Sequence, residues 1–377
     1  MSAFKVVHTQ ADDWAHAAKV CADGLARGAG DFNLGFIYAT DPLADDLPSI
    51  LTYLRQKSGI EHWVGSIGMG ICAISQEGGG EYFDQPALAV MAMALPADSF
   101  QILPPLENDI GELPKKALTW IKDKAAYFGV VHGDPSNSLV PELIEELANA
   151  TTGFLVGGLS SSAASGPFYQ VAERVIKDGL SGVMFAPGLD VVTALSQGCI
   201  PISESHLISD CIDNIIIGLD GRPALDVFIE DIGEELAEDL GQVAGLVHAA
   251  LPIEGSDTGD YLVRALVGID PDRGWLAIGE QVQSGGRLLF VRRDPVSAET
   301  DLRNRLEHLK GRLDKPPGAA LYYSCVGRGP SMFGAGEREL EIIMDIFGNV
   351  PLVGFFGNGE ISHNRLYGYT GVLTLIS

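Results

Sequence analysis

One run of elements occurs three times in this chain, and any fold it adopts must accommodate all three copies. The first copy opens with an apolar strand, Leu34–Ala39. A helix follows with Leu47, Ile50, Leu51 and Leu54 at helical spacing and Gly59 at its end. The strand His62–Ser66, a glycine-rich turn and the strand Ala87–Leu95 complete it. The second copy reads Ala126–Val131, a helix with Pro141 in its first turn and Leu143, Ile144 and Leu147 on one face, then Phe154–Gly158 and Gly179–Ala186. The third reads Ala319–Ser324, a helix with Leu340, Ile343, Met344 and Phe347 ending near Gly348, then Pro351–Phe356 and Tyr369–Ile376. Each copy is β-α-β-β, and each second strand carries a Val-Gly step. From Tyr38 to Gly65, Val131 to Gly157 and Tyr323 to Gly354 the separations are 27, 26 and 31 positions. A glycine recurring at one place in a strand points to a backbone turn or to the close approach of another segment or a ligand.

Between the second and third copies lies a strand-rich segment, Val191 to Asp314, interrupted by helices near Ile232–Leu240 and from Ser297. Pro316-Pro317-Gly318 breaks the chain before the third copy. The expected fold class is therefore mixed α/β (α+β): three pseudo-repeated β-α-β-β units with an inserted strand-rich segment.

Hydrophobic residues make up 46% and charged residues 20%, enough to bury a substantial core. With 50 acidic against 25 basic residues the formal charge is −25, which argues against attraction to nucleic acid or anionic lipid. A partner with a basic face is the electrostatic complement. The N-terminus lacks the pattern of a signal peptide, and the longest apolar run, Ala87–Ala97, is interrupted by Pro96 and too short to span a bilayer. Both point to the cytoplasm. Five scattered cysteines contain no C-x-x-C pair, so reduced thiols are expected.

Two stretches near the C-terminus are distinctive. Ser324-Cys325-Val326-Gly327-Arg328-Gly329 precedes Met332-Phe333-Gly334. Val350 to Ile361 then reads Val-Pro-Leu-Val-Gly-Phe-Phe-Gly-Asn-Gly-Glu-Ile, and Tyr367 to Leu373 closes the pattern. These resemble the C-terminal half of the FIST family. Leu47-Pro48, Trp63-Val64-Gly65, Gln197 to Ile202 and Leu219 to Leu225 are similar to its N-terminal half. The resemblance runs from about Asp31 to the end and divides the chain into an N-terminal domain, 1–225, and a C-terminal domain, 226–377. It implies a sensory input domain that binds small ligands such as amino acids and modulates a signalling partner. One free-standing bacterial subgroup binds haem b, senses nitric oxide and acts on a histidine kinase. The segment Ser362-His363-Asn364 is shorter than the family's usual loop there.

The candidate ligand-binding residues are Cys325, Gly327, Arg328, Gly329, Gly354, Phe356, Asn358, Gly359 and Glu360. Gly327-Arg328-Gly329 sets a guanidinium at a strand end between residues that allow close approach. It could clamp a ligand carboxylate, a haem propionate included, or form a structural ion pair with a residue such as Glu360. Cys325 could ligate iron, or be an inert buried thiol. For a haem axial ligand the best-placed of eight histidines are His206, His132 and His363. Glu337 and Glu341 lie one helical turn apart, but Arg338 and Glu339 beside them mark a solvated charged face. Ser160-Ser161-Ser162 reads as a turn whose hydroxyls bond backbone. No phosphate-binding loop, dinucleotide fingerprint or G-x-S-x-G elbow occurs. A second reading is a hydrolase on a threefold-repeated scaffold, with Ser324 and Arg328 at hand; the absence of lysine from Pro316 onward weakens it.

Overall fold

The computed structural model describes residues 3–26, 31–151, 153–163, 166–243, 245–253, 260–334 and 336–377. The chain forms two compact units. One comprises Met1–Ser196 with Glu299–Ser377, the other Gln197–Ala298.

The first unit contains all three repeats. In each, two parallel strands are joined through a helix, and the last strand pairs antiparallel with the first: Leu34–Thr40 with His62–Gly68 and Ala87–Met93, Phe128–Gly133 with Phe154–Leu159 and Leu180–Phe185, and Ala319–Cys325 with Leu352–Gly357 and Thr370–Ile376. The repeat is longer than its sequence pattern. An edge strand (Phe4–Gln10, Phe100–Leu106, Val191–Gln197) and a helix (Trp14–Ala26, Lys115–Asp123, Pro295–Gly311) precede each copy. The strand Val191–Gln197 and most of the last helix thus belong to the third repeat, and the inserted segment shrinks to 197–298. The pairing also shifts the alignment by one residue in the second copy. His132, not Val131, is the counterpart of Tyr38 and Tyr323, because Phe128 pairs with Phe154 as Leu34 pairs with His62.

Each repeat also gives a hairpin away. Gly70–Ser75 with Gly78–Phe83 extends the third sheet beside Leu352–Gly357. Gln170–Ala172 with Arg174–Ile176 extends the first beside His62–Gly68. Glu360–His363 with Arg365–Tyr367 extends the second beside Phe154–Leu159. Every second parallel strand thereby gains a partner on its open edge, which removes an unpaired row of backbone donors and acceptors.

The Val-Gly step follows from this pairing. A Cβ on Gly65, Gly157 or Gly354 would run into the carbonyl oxygen of Ile37, Val131 or Tyr322 on the adjacent parallel strand. The recurring glycine therefore serves the approach of one backbone to another.

The inner faces of the three sheets share one core that includes Phe36, Phe128, Leu321 and Phe355, and each outer face buries its own helices. The equivalent residues Tyr38, His132 and Tyr323 meet inside it: the Tyr38 hydroxyl lies 2.8 Å from that of Tyr323 and 3.1 Å from Nε2 of His132. All three are buried, and Phe355 packs against each ring. Burial pushes the His132 imidazole down to about 3. A base whose folded pKa is depressed leaves stability intact above its unfolded value, about 6.5, and removes it as the pH falls towards about 3. His132→Gln keeps an acceptor for Tyr38 but does not titrate. Urea unfolding at pH 6.5 and pH 5 is expected to show that the natural chain loses about 2 kcal/mol more than this variant across the interval. Equal losses would mean that His132 is not held neutral.

The second unit is an antiparallel sheet closed on itself. Its strands run in the order His206–Ile212, Ile215–Leu219, Trp275–Ile278, Tyr261–Asp270, Val247–Pro252, Arg287–Arg293, and the last pairs back to the first. Ala224–Ile232 supplies a helix whose Phe228 packs edge-on against Phe290 in the core of this unit. Among the described residues no helix is long and apolar enough to cross a membrane.

Candidate ligand site in the third repeat

After the strand Ala319–Cys325 the chain turns tightly, with the Arg328 N–H donating to the Cys325 carbonyl at 2.8 Å, and the Arg328 side chain points inward. Its guanidinium is fully buried. Nε donates to Glu339 Oε1 at 2.8 Å. The same carboxylate accepts from the Tyr322 hydroxyl at 2.6 Å and from the Ser324 hydroxyl at 2.8 Å. Tyr322 and Ser324 alternate on the strand face towards the helix Arg338–Phe347, so period-two geometry delivers both to Glu339. Glu81, from the hairpin given by the first repeat, accepts the Leu340 N–H at 3.2 Å. Its carboxyl is raised well above the usual range by burial and then by the Glu339 charge.

The structural partner of Arg328 is thus Glu339, not Glu360, and Glu339 does not lie on a solvated face. It is buried, one and two turns before Ile342, Ile343 and Ile346 on the inward stripe of its helix.

The two terminal nitrogens of Arg328 remain without a partner among the described residues, as does Oε1 of Glu360. Both side chains are completely buried. Glu360 Oε2 accepts from the Thr370 N–H at 3.1 Å and from its hydroxyl at 2.7 Å. Burial, partly opposed by these bonds and by the Arg328 charge, pushes the Glu360 carboxyl up to about 8. No ion-pair contact joins Arg328 to Glu360. The half-buried Phe333 ring lies over the guanidinium, 5.6 Å from its carbon. Two buried donor nitrogens and one buried acceptor oxygen are therefore left without a partner among the described residues.

The other residues anticipated from sequence have packing and hydrogen-bonding roles. A Cβ on Gly327 would come within 2.9 Å of the Tyr369 ring, and one on Gly329 within 2.9 Å of Phe83 and 3.4 Å of Phe356. Phe356 packs against Phe83 at 4.6 Å. The Gly354 position is filled by the Tyr322 carbonyl, so it offers a ligand no room. Asn358 donates to the Ser160 carbonyl at 3.2 Å. The neighbouring Ser160 and Ser161 hydroxyls meet Ser66 and the Phe356 carbonyl, tying the three repeats together at their strand ends. Gly359 carries φ +154°, with Leu366 packed where a Cβ would stand. The Cys325 thiol is raised by burial and behaves as a packed, unreactive group.

These residues do not fit a haem. Both ring nitrogens of His206 are taken by carboxylates, Asp220 at 2.7 Å and Asp231 at 2.8 Å. His132 is enclosed by Tyr38, Tyr323 and Phe355, and its Nε2 already bonds Tyr38. His363 stands exposed at a hairpin turn, its ring against Phe154. Cys325, the remaining iron-ligand candidate, is held as a neutral buried thiol.

The family model of the FIST N domain matches residues 33–222, and that of the FIST C domain matches residues 224–363. The chain belongs to the FIST family. FIST domains are small-ligand-sensing domains of signalling proteins. The join between the two FIST models at 222–224 falls inside the closed sheet of the second unit, so the family's halves and the compact units divide the chain differently. An uncharacterized protein of Mycobacterium tuberculosis is 32% identical across 96% of this chain and 94% of its own. One from Mycobacterium bovis is 31% identical across 91% and 89%. Human F-box only protein 22 is 34% identical over 90 residues, 23% of this chain and 22% of its own.

Proposed function

We propose that this FIST protein is a cytoplasmic small-ligand sensor whose ligand is grasped by Arg328 and Glu360, and that ligand binding modulates a signalling protein such as a histidine kinase. The observation that carries the reading is the pair of bare, fully buried groups: two guanidinium nitrogens and one carboxyl oxygen. Buried polar atoms are almost always satisfied, so atoms left bare by the protein call for water or a ligand. A small zwitterion, such as an amino acid, supplies what both need. Its carboxylate accepts from Arg328 in the two-pronged geometry that guanidinium favours, and its ammonium donates to Glu360. Access requires the Phe333 ring to move aside. A ligand that binds only the opened arrangement shifts the population towards it, which is the event a partner can read.

The Glu360→Gln variant separates fold from function. An acid whose folded pKa is raised loses stability as the pH climbs from its unfolded value, about 4.5, to about 8. At pH 8 the variant is therefore expected to be at least as stable as the natural chain. A thermal-shift panel of the common amino acids should raise the melting temperature of the natural chain with one or a few of them and leave Glu360→Gln unmoved. A flat panel, or an equal shift in both proteins, would refute the reading.

A further inference from the structure

A cleft on the first unit has neither Arg328 nor Glu360 in its lining. Its volume is about 880 Å³, within the range of small-molecule sites. Asn33 and His62, at the starts of the first repeat's parallel strands, form one wall. The edge strand Phe100–Leu106 and the beginning of the helix Lys115–Asp123 form another, and the tip of the exchanged hairpin Gln170–Ile176 closes the side.

Three features of this cleft bear on what it could bind. The first is charge. Lys116 and Arg174 both line it, both are exposed, and neither has an ion-pair partner among the described residues, in a chain with twice as many acids as bases. The related cleft of about 410 Å³ between the second and third repeats shows what the repeat itself requires. There Lys315 pairs with Asp190 at 2.9 Å, and the corresponding Lys124, outside the lining, pairs with Asp98 of the larger cleft at 2.6 Å. Lys116 and Arg174 are additional to that shared pair. The one carboxylate of the lining left unpaired is that of Glu61.

The second feature is a fixed imidazole. His62 Nδ1 lies 2.5 Å from Glu173 Oε1, and the ring sits edge-on against Phe100 at 5.3 Å. Nε2 has no partner among the described residues. The third is the backbone that holds Glu173 in place. Glu173 has φ +63°, a left-handed conformation that costs a side-chain-bearing residue about 1 kcal/mol or more. Arg55 holds it by donating to its carbonyl at 2.7 Å and to its carboxylate at 3.4 Å. Glu173 is the single residue at the tip of its hairpin, where a positive φ closes the turn, and that turn sets its carboxylate beside His62.

We infer that this cleft binds a small organic anion with an aromatic or other flat apolar body, its charge on Lys116 and Arg174, a polar edge on His62 Nε2, and its body against Phe32, Phe100 and Pro104. The site is separate from Arg328 and does not depend on the reading given above.

The probe is 1-anilinonaphthalene-8-sulfonate, titrated by fluorescence into the full chain at low salt and displaced with 1-naphthoate. One saturable, displaceable site is expected. The double variant Lys116→Glu/Arg174→Glu is expected to weaken it at least tenfold, and His62→Gln severalfold. The double variant Lys57→Glu/Lys122→Glu makes the same charge change elsewhere on the surface and is expected to leave binding unaltered. The four charge-reversal positions are solvent-exposed and His62 is half-buried, so unchanged circular dichroism and an unchanged melting temperature check folding of every variant. No saturable binding, or an equal loss in both double variants, would overturn the inference.

Discussion

Gly354→Ala, Gly157→Ala and Gly65→Ala are each expected to destabilise the chain by more than about 4 kcal/mol, enough to abolish soluble expression. A methyl group at any of the three meets a backbone carbonyl oxygen of the neighbouring parallel strand, and no side chain can swing away to make room. The strand that carries the glycine is held on its other edge by the exchanged hairpin, so relief would have to break pairing in two repeats at once. Gly59→Ala is the control. Gly59 has φ +74° but open space around its Cβ position, so the expected loss is about 1 kcal/mol, the backbone cost alone. Denaturant melts of the four variants check this. A loss below about 2 kcal/mol at any Val-Gly site would mean that the strands separate more readily than their pairing implies.

Arg328→Met is expected to cost about 3–5 kcal/mol, because it strands Glu339 in the interior without a counter-charge. The hydroxyls of Tyr322 and Ser324 still donate to Glu339, but neutral donors do not replace a guanidinium. Adding Glu339→Gln removes the orphaned charge while keeping an acceptor for Tyr322 or Ser324, and the double variant should recover most of the loss. Urea melts on all three proteins decide the point. A double variant no more stable than Arg328→Met would show that the cost arises from lost packing and not from the stranded charge.

Much of this architecture was legible because it rests on local pattern. The three copies follow from apolar strands, helical spacing and the Val-Gly step, all within about thirty residues. Hairpin exchange was not legible. Gln170–Ala172 is three residues long, too short to show alternation, and its partner strand lies a hundred positions away. The inner triad was hidden by one residue of misalignment, since Val131 looks like the better strand residue and His132 the better ligand. Glu339 was hidden differently. Its neighbours Arg338 and Glu341 are charged and partly exposed, yet the apolar residues three, four and seven positions on place Glu339 itself on the inward stripe. Helical phase carried the information that charge density obscured. No sequence pattern discloses that Asp220 and Asp231 enclose His206.

The groups left bare at the centre of the third repeat are the claim on which the functional account stands. A high-resolution crystal structure of the natural chain, grown with the amino acid that most raises its melting temperature, tests it directly. The account predicts density for that molecule bridging both terminal nitrogens of Arg328 and Oε1 of Glu360, with Phe333 displaced. Arg328 and Glu360 in direct contact under an unmoved Phe333, with the amino acid bound elsewhere, would contradict it.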